Sequence, residues 1–170
     1  FGSVLKLEKT NECFLNHYER EGKLYFYNPA TGKEISADVI FPVVHGTFCE
    51  DGTLQGLLDL SLVPYVGAGV TGSAIGMDKD VAKRLLRDAG IPVVPWLKVV
   101  KADWCNGRER IISQICNDIG FPCFVKPSNA GSSVGITKVK SSSEIDDAMN
   151  DALLWDDKIL VEQGINAREI

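Results

Sequence analysis

The chain has 170 residues, enough for one domain or for parts of two, and its 45% hydrophobic and 24% charged content is that of an ordinary globular protein. A formal net charge of -5 argues against a sequence-independent nucleic-acid binder, which needs a basic stripe to neutralise phosphates. No apolar run reaches the roughly eighteen residues of a membrane span, and no basic-then-apolar leader opens the chain. Up to about residue 35 the chain is polar and turn-rich, with a short strand expected over 24–27 and a turn at Asn28-Pro29-Ala30-Thr31-Gly32. The continuous apolar run 39–44 predicts a strand buried on both faces. After a loop over 45–52, Leu54, Leu57, Leu58 and Leu60 recur at helical spacing until Pro64 ends the pattern.

A second unit begins near Gly67. Residues 73–89 predict one helix with Ile75, Ala82, Leu86 and Ala89 along one stripe, Gly90 as its C-terminal cap and Ile91-Pro92 as a stop. A strand is expected around 96–100. Ile111, Ile112, Ile115, Cys116 and Ile119 mark another helix, closed by Gly120. Residues 121–126 read as a short strand ending at Pro127, residues 129–133 as a small-residue loop, and 134–139 as a strand. Ser141 with Glu144 forms a capping box before a helix carrying Ile145, Ala148, Met149 and Ala152, and residues 159–162 form a last strand. The class is α/β with mixed sheets, in at least two units. The five cysteines Cys13, Cys49, Cys105, Cys116 and Cys123 contain no C-x-x-C pair, and His17 and His45 are not spaced to complete a zinc site. Free thiols in a reducing cytoplasm are expected. Phe1 is not methionine and Glu169-Ile170 stops inside an apparent motif, so a partial reading of a longer chain is expected.

Gly67-Ala68-Gly69-Val70-Thr71-Gly72 matches the dinucleotide-binding spacing, yet Pro64 interrupts the run before it and Gly90-Ile91-Pro92 stands where a ribose-binding acid belongs. A glycine-rich turn joining two units explains it better than a nicotinamide site. Asn129-Ala130-Gly131-Ser132-Ser133-Val134-Gly135 lies between two strands and is no Walker loop, but its small residues let N–H groups and two hydroxyls approach a phosphate. The other reading is a flexible hairpin. Lys126 interrupts an otherwise buried Phe-Val-Lys-Pro strand, where an amine needs an anion, a partner carboxylate or a path to solvent. Lys79 falls about 40° from Ile75 and about 20° from Leu86 at 100° per residue, on the edge of the stripe. Asp78 and Lys83 read as ordinary surface. Glu162 ends an apolar strand, where a carboxylate is solvated or accepts from a ribose hydroxyl. His45 ends the 39–44 strand, where α/β proteins place ligands, and Glu50-Asp51-Gly52 reads as a turn with an acidic rim.

Together these residues resemble the D-alanine–D-alanine ligase family of the ATP-grasp superfamily. The matching stretches are His45-Gly46, Glu50-Asp51-Gly52-Thr53-Leu54-Gln55-Gly56, Pro64-Tyr65-Val66-Gly67, Ser73-Ala74, Met77-Asp78-Lys79, Phe124-Val125-Lys126-Pro127, Gly131-Ser132-Ser133-Val134-Gly135, Val161-Glu162 and Arg168-Glu169. The resemblance implies an incomplete Rossmann-like N-terminal domain over 1–66, the central subdomain of an ATP-grasp fold over 67–162, and the start of a C-terminal subdomain over 163–170. It assigns Lys79 and Lys126 to ATP phosphates, and Ser132, Ser133 and Val134 to the loop folding over them, with Ser132 also near substrate. Glu162 would bind ribose, Gln163, Gly164 and Ile165 would read adenine through their backbone, and Glu169 would contact nucleotide. His45 and Glu50 would line the first D-alanine site.

The implied activity is cytoplasmic: ATP-dependent joining of two D-alanines through a D-alanyl phosphate, supplying peptidoglycan precursors for the cell wall. Magnesium ligands are expected after residue 170 and none within the chain; the full-length protein is expected to be a homodimer with no nucleic-acid or membrane partner. D-lactate or D-serine as second substrate, another ATP-grasp carboxylate–amine ligase, and a non-catalytic nucleotide-binding module are the alternatives. Cys49 stands where the family usually has glycine, Ala167 precedes Arg168-Glu169 where glycine is usual, and Gly164 stands where a bulkier residue often covers adenine. The 170-residue chain alone is expected to release no phosphate in a D-alanine-dependent assay above a Lys126→Ala control.

Overall fold

The computed structural model of the chain describes residues 14–20, 23–28, 31–62 and 64–167. Three antiparallel strands come first, β1 (Phe14–Arg20), β2 (Lys23–Asn28) and β3 (Lys33–Ala37). Only β2 was legible in the sequence, because ladder hydrogen bonds rather than an apolar pattern define its two neighbours. Of the turn expected at 28–32, Gly32 is in the left-handed region with φ 64, while residues 29 and 30 lie outside the described residues.

The run 39–44 departs most from expectation. It is extended but not buried: Phe41 is 69% exposed and Val43 77%. Among the described residues its one pairing is a parallel bridge from Ile40 to Tyr65, closed by Ile40 N–H to Pro64 O at 2.9 Å and Val66 N–H to Ile40 O at 2.9 Å. An apolar run records that a surface suits burial, and does not say which element covers it. Helix α1 (Thr53–Leu60) follows as expected, with Leu58 and Gln55 buried.

Residues 73–89 form two helices, not one. Helix α2 (Val70–Met77) stops at Asp78, whose extended backbone (φ -79, ψ 98) opens α3 (Lys79–Asp88) as a new helix. The Asp78 side chain accepts from Asp80 N–H and Val81 N–H, both at 3.1 Å, a regular N-cap. Ile75 and Leu86 therefore belong to different helices, and the single stripe drawn through them does not exist. The end of α3 matches expectation: Gly90, φ 75, donates to Arg87 O and Ile91 N–H to Leu86 O, a Schellman closure.

The second sheet is four-stranded and antiparallel, in the order β4 (Trp96–Val100), β7 (Lys158–Gln163), β5 (Cys123–Pro127), β6 (Thr137–Val139). Expectation had β6 begin at 134, but residues 132–135 form a turn and only 137–139 pair. Helix α4 (Lys101–Gln114) begins ten residues before the first apolar marker read from the sequence and continues as a π-helical turn, Ile115–Ile119, closed by Gly120 at φ 73. Its first half is polar except for buried Trp104, so periodicity shows only the second half. Helix α5 (Ile145–Ala152) follows a 3-10 turn, Ser142–Glu144. The capping box does not form: Glu144 accepts from Lys140 N–H at 2.8 Å and not from Ser141 N–H, while the Ser141 hydroxyl bonds that of Ser143.

One face of this sheet packs on α4, the π-helical turn and α5. Val99, Val125, Val139, Ile159 and Val161 meet Trp104, Ile111, Ile115, Ile145 and Met149 there, all nearly inaccessible. Because side chains alternate along a strand, the opposite face carries Trp96, Glu162, Phe124 and Lys138 in one cross-strand row. Lys126 pairs with Leu160 in the next row. Removing Ile115 side-chain volume (I115A) should cost about 2–5 kcal/mol in urea unfolding, the range for a fully packed aliphatic residue. Leu86→Ala, at a position 40% exposed, should cost much less.

Candidate functional site

The sequence motifs converge on a cavity of about 590 Å³ lined by His45, Glu50, Gly76, Met77, Lys79 and the loop Ala130 to Ser133, with Ile136 at its edge. Three segments distant in sequence thus meet there: the 45–52 loop supplies one wall, α2 and α3 the floor, and the β5–β6 connection the other wall.

The first wall is set by its own hydrogen bonds. Glu50 Oε2 accepts from Gly46 N–H at 2.5 Å, and the Asp51 carboxylate accepts from Phe48 N–H at 2.8 Å and Thr53 N–H at 3.0 Å. Left-handed backbone occurs at Gly46, Phe48 and Gly52, not at Cys49, so a side chain is tolerated where the family usually has glycine. Gly52 is required for another reason as well: a Cβ there would lie 2.8 Å from Val70 O, so this close approach fixes the loop against the start of α2.

The opposite wall carries two non-glycine residues with positive φ, Ser132 (50) and Ser133 (59), followed by Gly135 (65). Among the described residues, neither serine hydroxyl has a protein partner, so both are available to a ligand.

Lys79 joins the walls. As the first residue of α3 it donates its N–H to Ser128 O at 3.1 Å, and its ammonium donates to Ser128 O at 3.2 Å and Ala130 O at 2.5 Å. No described carboxylate is in ion-pair contact with it. Burial, and then the nearby Lys126 charge, lowers its pKa, against the opposing pull of Asp156, Glu162 and Asp78. A half-buried ammonium held only by carbonyl dipoles is suited to an incoming anion.

Asp78 and Lys83, read as ordinary surface, are structural parts of the site. The Asp78 carboxylate, besides capping α3, accepts from the Ser128 hydroxyl at 2.8 Å and pairs with Lys158. Ser128 is fully buried. Asp156 completes the seam by accepting from Asn129 N–H at 2.8 Å and Lys158 N–H at 3.0 Å. Lys83 pairs with Glu162 Oε1 at 2.5 Å while Lys126 pairs with Glu162 Oε2. Lys126 thus has the partner carboxylate that its place in a buried strand demanded, and Glu162 is far from solvated. Asp80 accepts from Trp96 Nε1 at 2.9 Å and from Arg84, and Trp96 stacks under Lys83 and Arg87, each 5.2 Å from the ring centre. One sequence signal was available: Lys79 and Lys83 are four residues apart and share a helix face.

The remaining expected residues are placed apart from the cavity lining. Val134 sits on the same loop, partly exposed. Gln163 donates its N–H to Pro95 O at 3.0 Å and Gly164 to Pro122 O at 2.8 Å, beyond Glu162 on the end of β7. A Cβ at Gly164 would lie 2.6 Å from Pro122 O, which explains glycine where a bulkier residue is usual. Ile165 is 57% exposed, and Glu169 lies outside the described residues. Residues 67–69 lead into α2 from a lone bridging residue, Tyr65, not from a strand, and Val70, Thr71 and Gly72, expected in a turn, already belong to α2. Cys49, Cys105, Cys116 and Cys123 are free, burial pushing the Cys123 thiol up to about 11, and Cys13 lies outside the described residues.

Comparison with known proteins gives the same family at both ends of the chain. The family model for the D-ala D-ala ligase N-terminus matches residues 5–68 and that for the D-ala D-ala ligase C-terminus matches residues 85–170. The chain belongs to the D-alanine–D-alanine ligase family. It is 48% identical over 167 residues to the D-alanine–D-alanine ligase of Bacillus licheniformis, covering 98% of this chain and 46% of that one. It is 52% identical over 136 residues to D-alanine–D-alanine ligase A of Bradyrhizobium diazoefficiens, covering 80% of this chain and 36% of that one. The D-alanine–D-alanine ligase structure from Coxiella burnetii superposes with a TM-score of 0.77 at 37% identity, over 93% of this chain and 42% of that one. The VanG D-Ala:D-Ser ligase of Enterococcus faecalis gives a TM-score of 0.78 at 34% identity, over 92% and 43%. The chain therefore spans less than half the length of these ligases.

The acid limb of stability tests the site's electrostatics. Burial alone would raise the Asp78, Asp80 and Glu162 carboxyls; hydrogen bonds from Lys158 and Ser128, from Arg84 and Trp96, and from Lys126 and Lys83 outweigh it and hold all three below the usual range. A depressed folded-state pKa stabilises above the ordinary carboxylate value, about 4, and that contribution is lost as pH falls through the folded value. The melting temperature should stay level from neutral pH down to about 5 and fall below about 4. Asp78→Asn and Glu162→Gln should each lower it at neutral pH and flatten the acid limb.

Proposed function

We propose that the chain supplies the phosphate-holding part of the nucleotide site, and one wall of the first D-alanine site, in a cytoplasmic ATP-dependent D-alanine–D-alanine ligase of peptidoglycan synthesis. The observation that carries this reading is Lys79: a half-buried ammonium aimed by Ser128 O and Ala130 O into a cavity whose other walls bear His45, Glu50, Ser132 and Ser133. The division follows the same logic, with a substrate-binding unit over 1–66, an ATP-grasp central subdomain over 67–162, and a C-terminal subdomain starting at 163.

The reaction moves the terminal phosphoryl group of ATP onto one carboxylate oxygen of D-alanine and releases ADP. The amine of a second D-alanine then attacks the acyl carbon, and inorganic phosphate leaves. Protein contributes chiefly fixed positive charge and donors around the moving phosphoryl group, with water kept out. Lys79 and Lys126 supply the charge, the Ser132 and Ser133 hydroxyls supply donors, Val134 belongs to the same loop with its N–H held by Gly131 O, and Ser132 borders both substrates. Glu162 accepts from ribose, the backbone of Gln163, Gly164 and Ile165 reads adenine, and Glu169 adds a nucleotide contact. His45 and Glu50 orient the D-alanine.

The described residues suit ATP phosphates, because the cavity already presents an unpaired ammonium and two free hydroxyls. Among the described residues no group of three or more His, Cys, Asp or Glu side chains is placed to hold a metal ion. No helix among the described residues is long and apolar enough to cross a membrane. The complete protein is proposed to act as a homodimer. The VanG likeness keeps the second substrate open between D-alanine and D-serine, since it equals the likeness to D-alanine–D-alanine ligases in coverage.

With the protein at its natural length, phosphate release from ATP and magnesium should require D-alanine and should fail with L-alanine. Adding D-lactate or D-serine then identifies the second substrate from the product. Lys79→Ala and Lys126→Ala should each lower turnover by about a hundredfold or more, the usual effect of removing a charge that stabilises a transition state. ATP binding without release under any D-amino acid would leave the fold and remove the ligase.

A further inference from the structure

Glu162 is held by two lysines at once, each on its own oxygen: Lys83 on Oε1 at 2.5 Å and Lys126 on Oε2. All three side chains are largely withdrawn from water, at 12% exposure for Lys83, 18% for Lys126 and 14% for Glu162. Resting on the nucleotide reading above, we propose that Lys83 is a positioning residue that keeps Glu162 neutralised when Lys126 leaves that carboxylate for a nucleotide phosphate.

Lys126 cannot serve both anions in full. If it were the only partner of Glu162, its departure would strand a nearly buried carboxylate, and breaking a buried pair from one side is strongly unfavourable. A second ammonium already in place removes that penalty. Lys83 is built to stay behind. It projects from α3 one turn after Lys79, its ammonium lies 5.2 Å from the Trp96 ring centre, and Trp96 is tied by its indole N–H to Asp80 of the same helix. Trp96 is also the cross-strand neighbour of Glu162, so helix, ring and carboxylate are tied together. Lys126, by contrast, sits on β5, just before the loop that lines the cavity, and its charge is already felt by Lys79. Lys83 and Lys126 share the one carboxylate of Glu162, so that pair of lysines carries one positive charge beyond the acid it holds, which a triphosphate matches and a bare nucleoside does not. The exchange is a transfer of ion pairs: Lys126 trades Oε2 for a phosphate oxygen, a ribose hydroxyl takes Oε2, and Lys83 keeps Oε1.

The discriminating experiment is calorimetric titration of the protein at its natural length with two probes, ATP and adenosine. Lys83→Met should raise the Kd for ATP about tenfold or more, as expected when one partner of a buried charge pair is removed, and leave the Kd for adenosine within about twofold. Lys83→Arg, which keeps the charge, should restore ATP binding. In a Lys126→Met background, K83M should add no further loss for ATP, because the lysine it releases is gone. Should K83M not fold, Lys83→Gln carries the same comparison. An equal loss for both probes would make Lys83 a structural cross-link, tighter adenosine binding would make it a competitor of ribose, and no change would make it a spectator; each overturns the proposal. Wild-type protein that binds neither probe would instead remove the nucleotide reading, and this is seen before any variant is made.

Discussion

The Asp78 carboxylate accepts from two backbone amides of α3, from the Ser128 hydroxyl after β5 and from the Lys158 ammonium at the start of β7, and the cavity's geometry follows from that convergence. Three segments distant in sequence are brought to one pair of oxygens. The neighbouring residue, Lys79, takes its direction from this knot, because its amide and its ammonium both find Ser128 O. Ion pairs so withdrawn from water add little net stability, since desolvation offsets much of the attraction. What they specify is position: an apolar substitute for Asp78 would pack, but would neither start α3 where it starts nor aim Lys79.

The sequence made the strands of the second sheet legible because they are short, apolar and bounded by Gly and Pro. The helix break at Asp78 was not legible, although aspartate is a favoured N-cap. Ile75, Ala82 and Leu86 lie at spacings that a continuous helix satisfies, and periodicity outweighed the capping signal. The consequence for function was direct, since Lys83 appeared to turn away from the stripe when it in fact turns toward Glu162. Polar helix faces that pack on polar sheet faces leave no hydrophobic trace, and α3 buries no residue except Asp80.

The 39–44 run shows the opposite case, a strong apolar signal over a segment whose side chains are mostly exposed among the described residues. Hydrophobicity reports a tendency of the chain, whereas burial is a property of the assembly around it. Lys126 was read better, because the physical demand was specific: an amine in a buried strand requires an anion. The structure supplies one in Glu162, a residue whose pairing with two lysines neither reading of its strand-end position contained. His45, Glu50, Ser132 and Ser133, which line the cavity, stand out in the sequence through motif order and not through any one residue's surroundings.

The two-sided character of the second sheet also reduces to arithmetic. On all four strands the odd-numbered residues, such as Leu97, Val125, Val139 and Val161, face α4, the π-helical turn and α5, while the even-numbered Trp96, Phe124, Lys138 and Glu162 lie on the opposite face, where Trp96 and Glu162 meet α3. The numbering of the chain therefore separates two sets of positions, one packed on α4, the π-helical turn and α5 and one turned toward α3. A single-residue insertion within any of these strands would transpose the two sets, placing lysines in the core and valines on the opposite face. Length changes in this sheet are thus restricted to the connections between its strands.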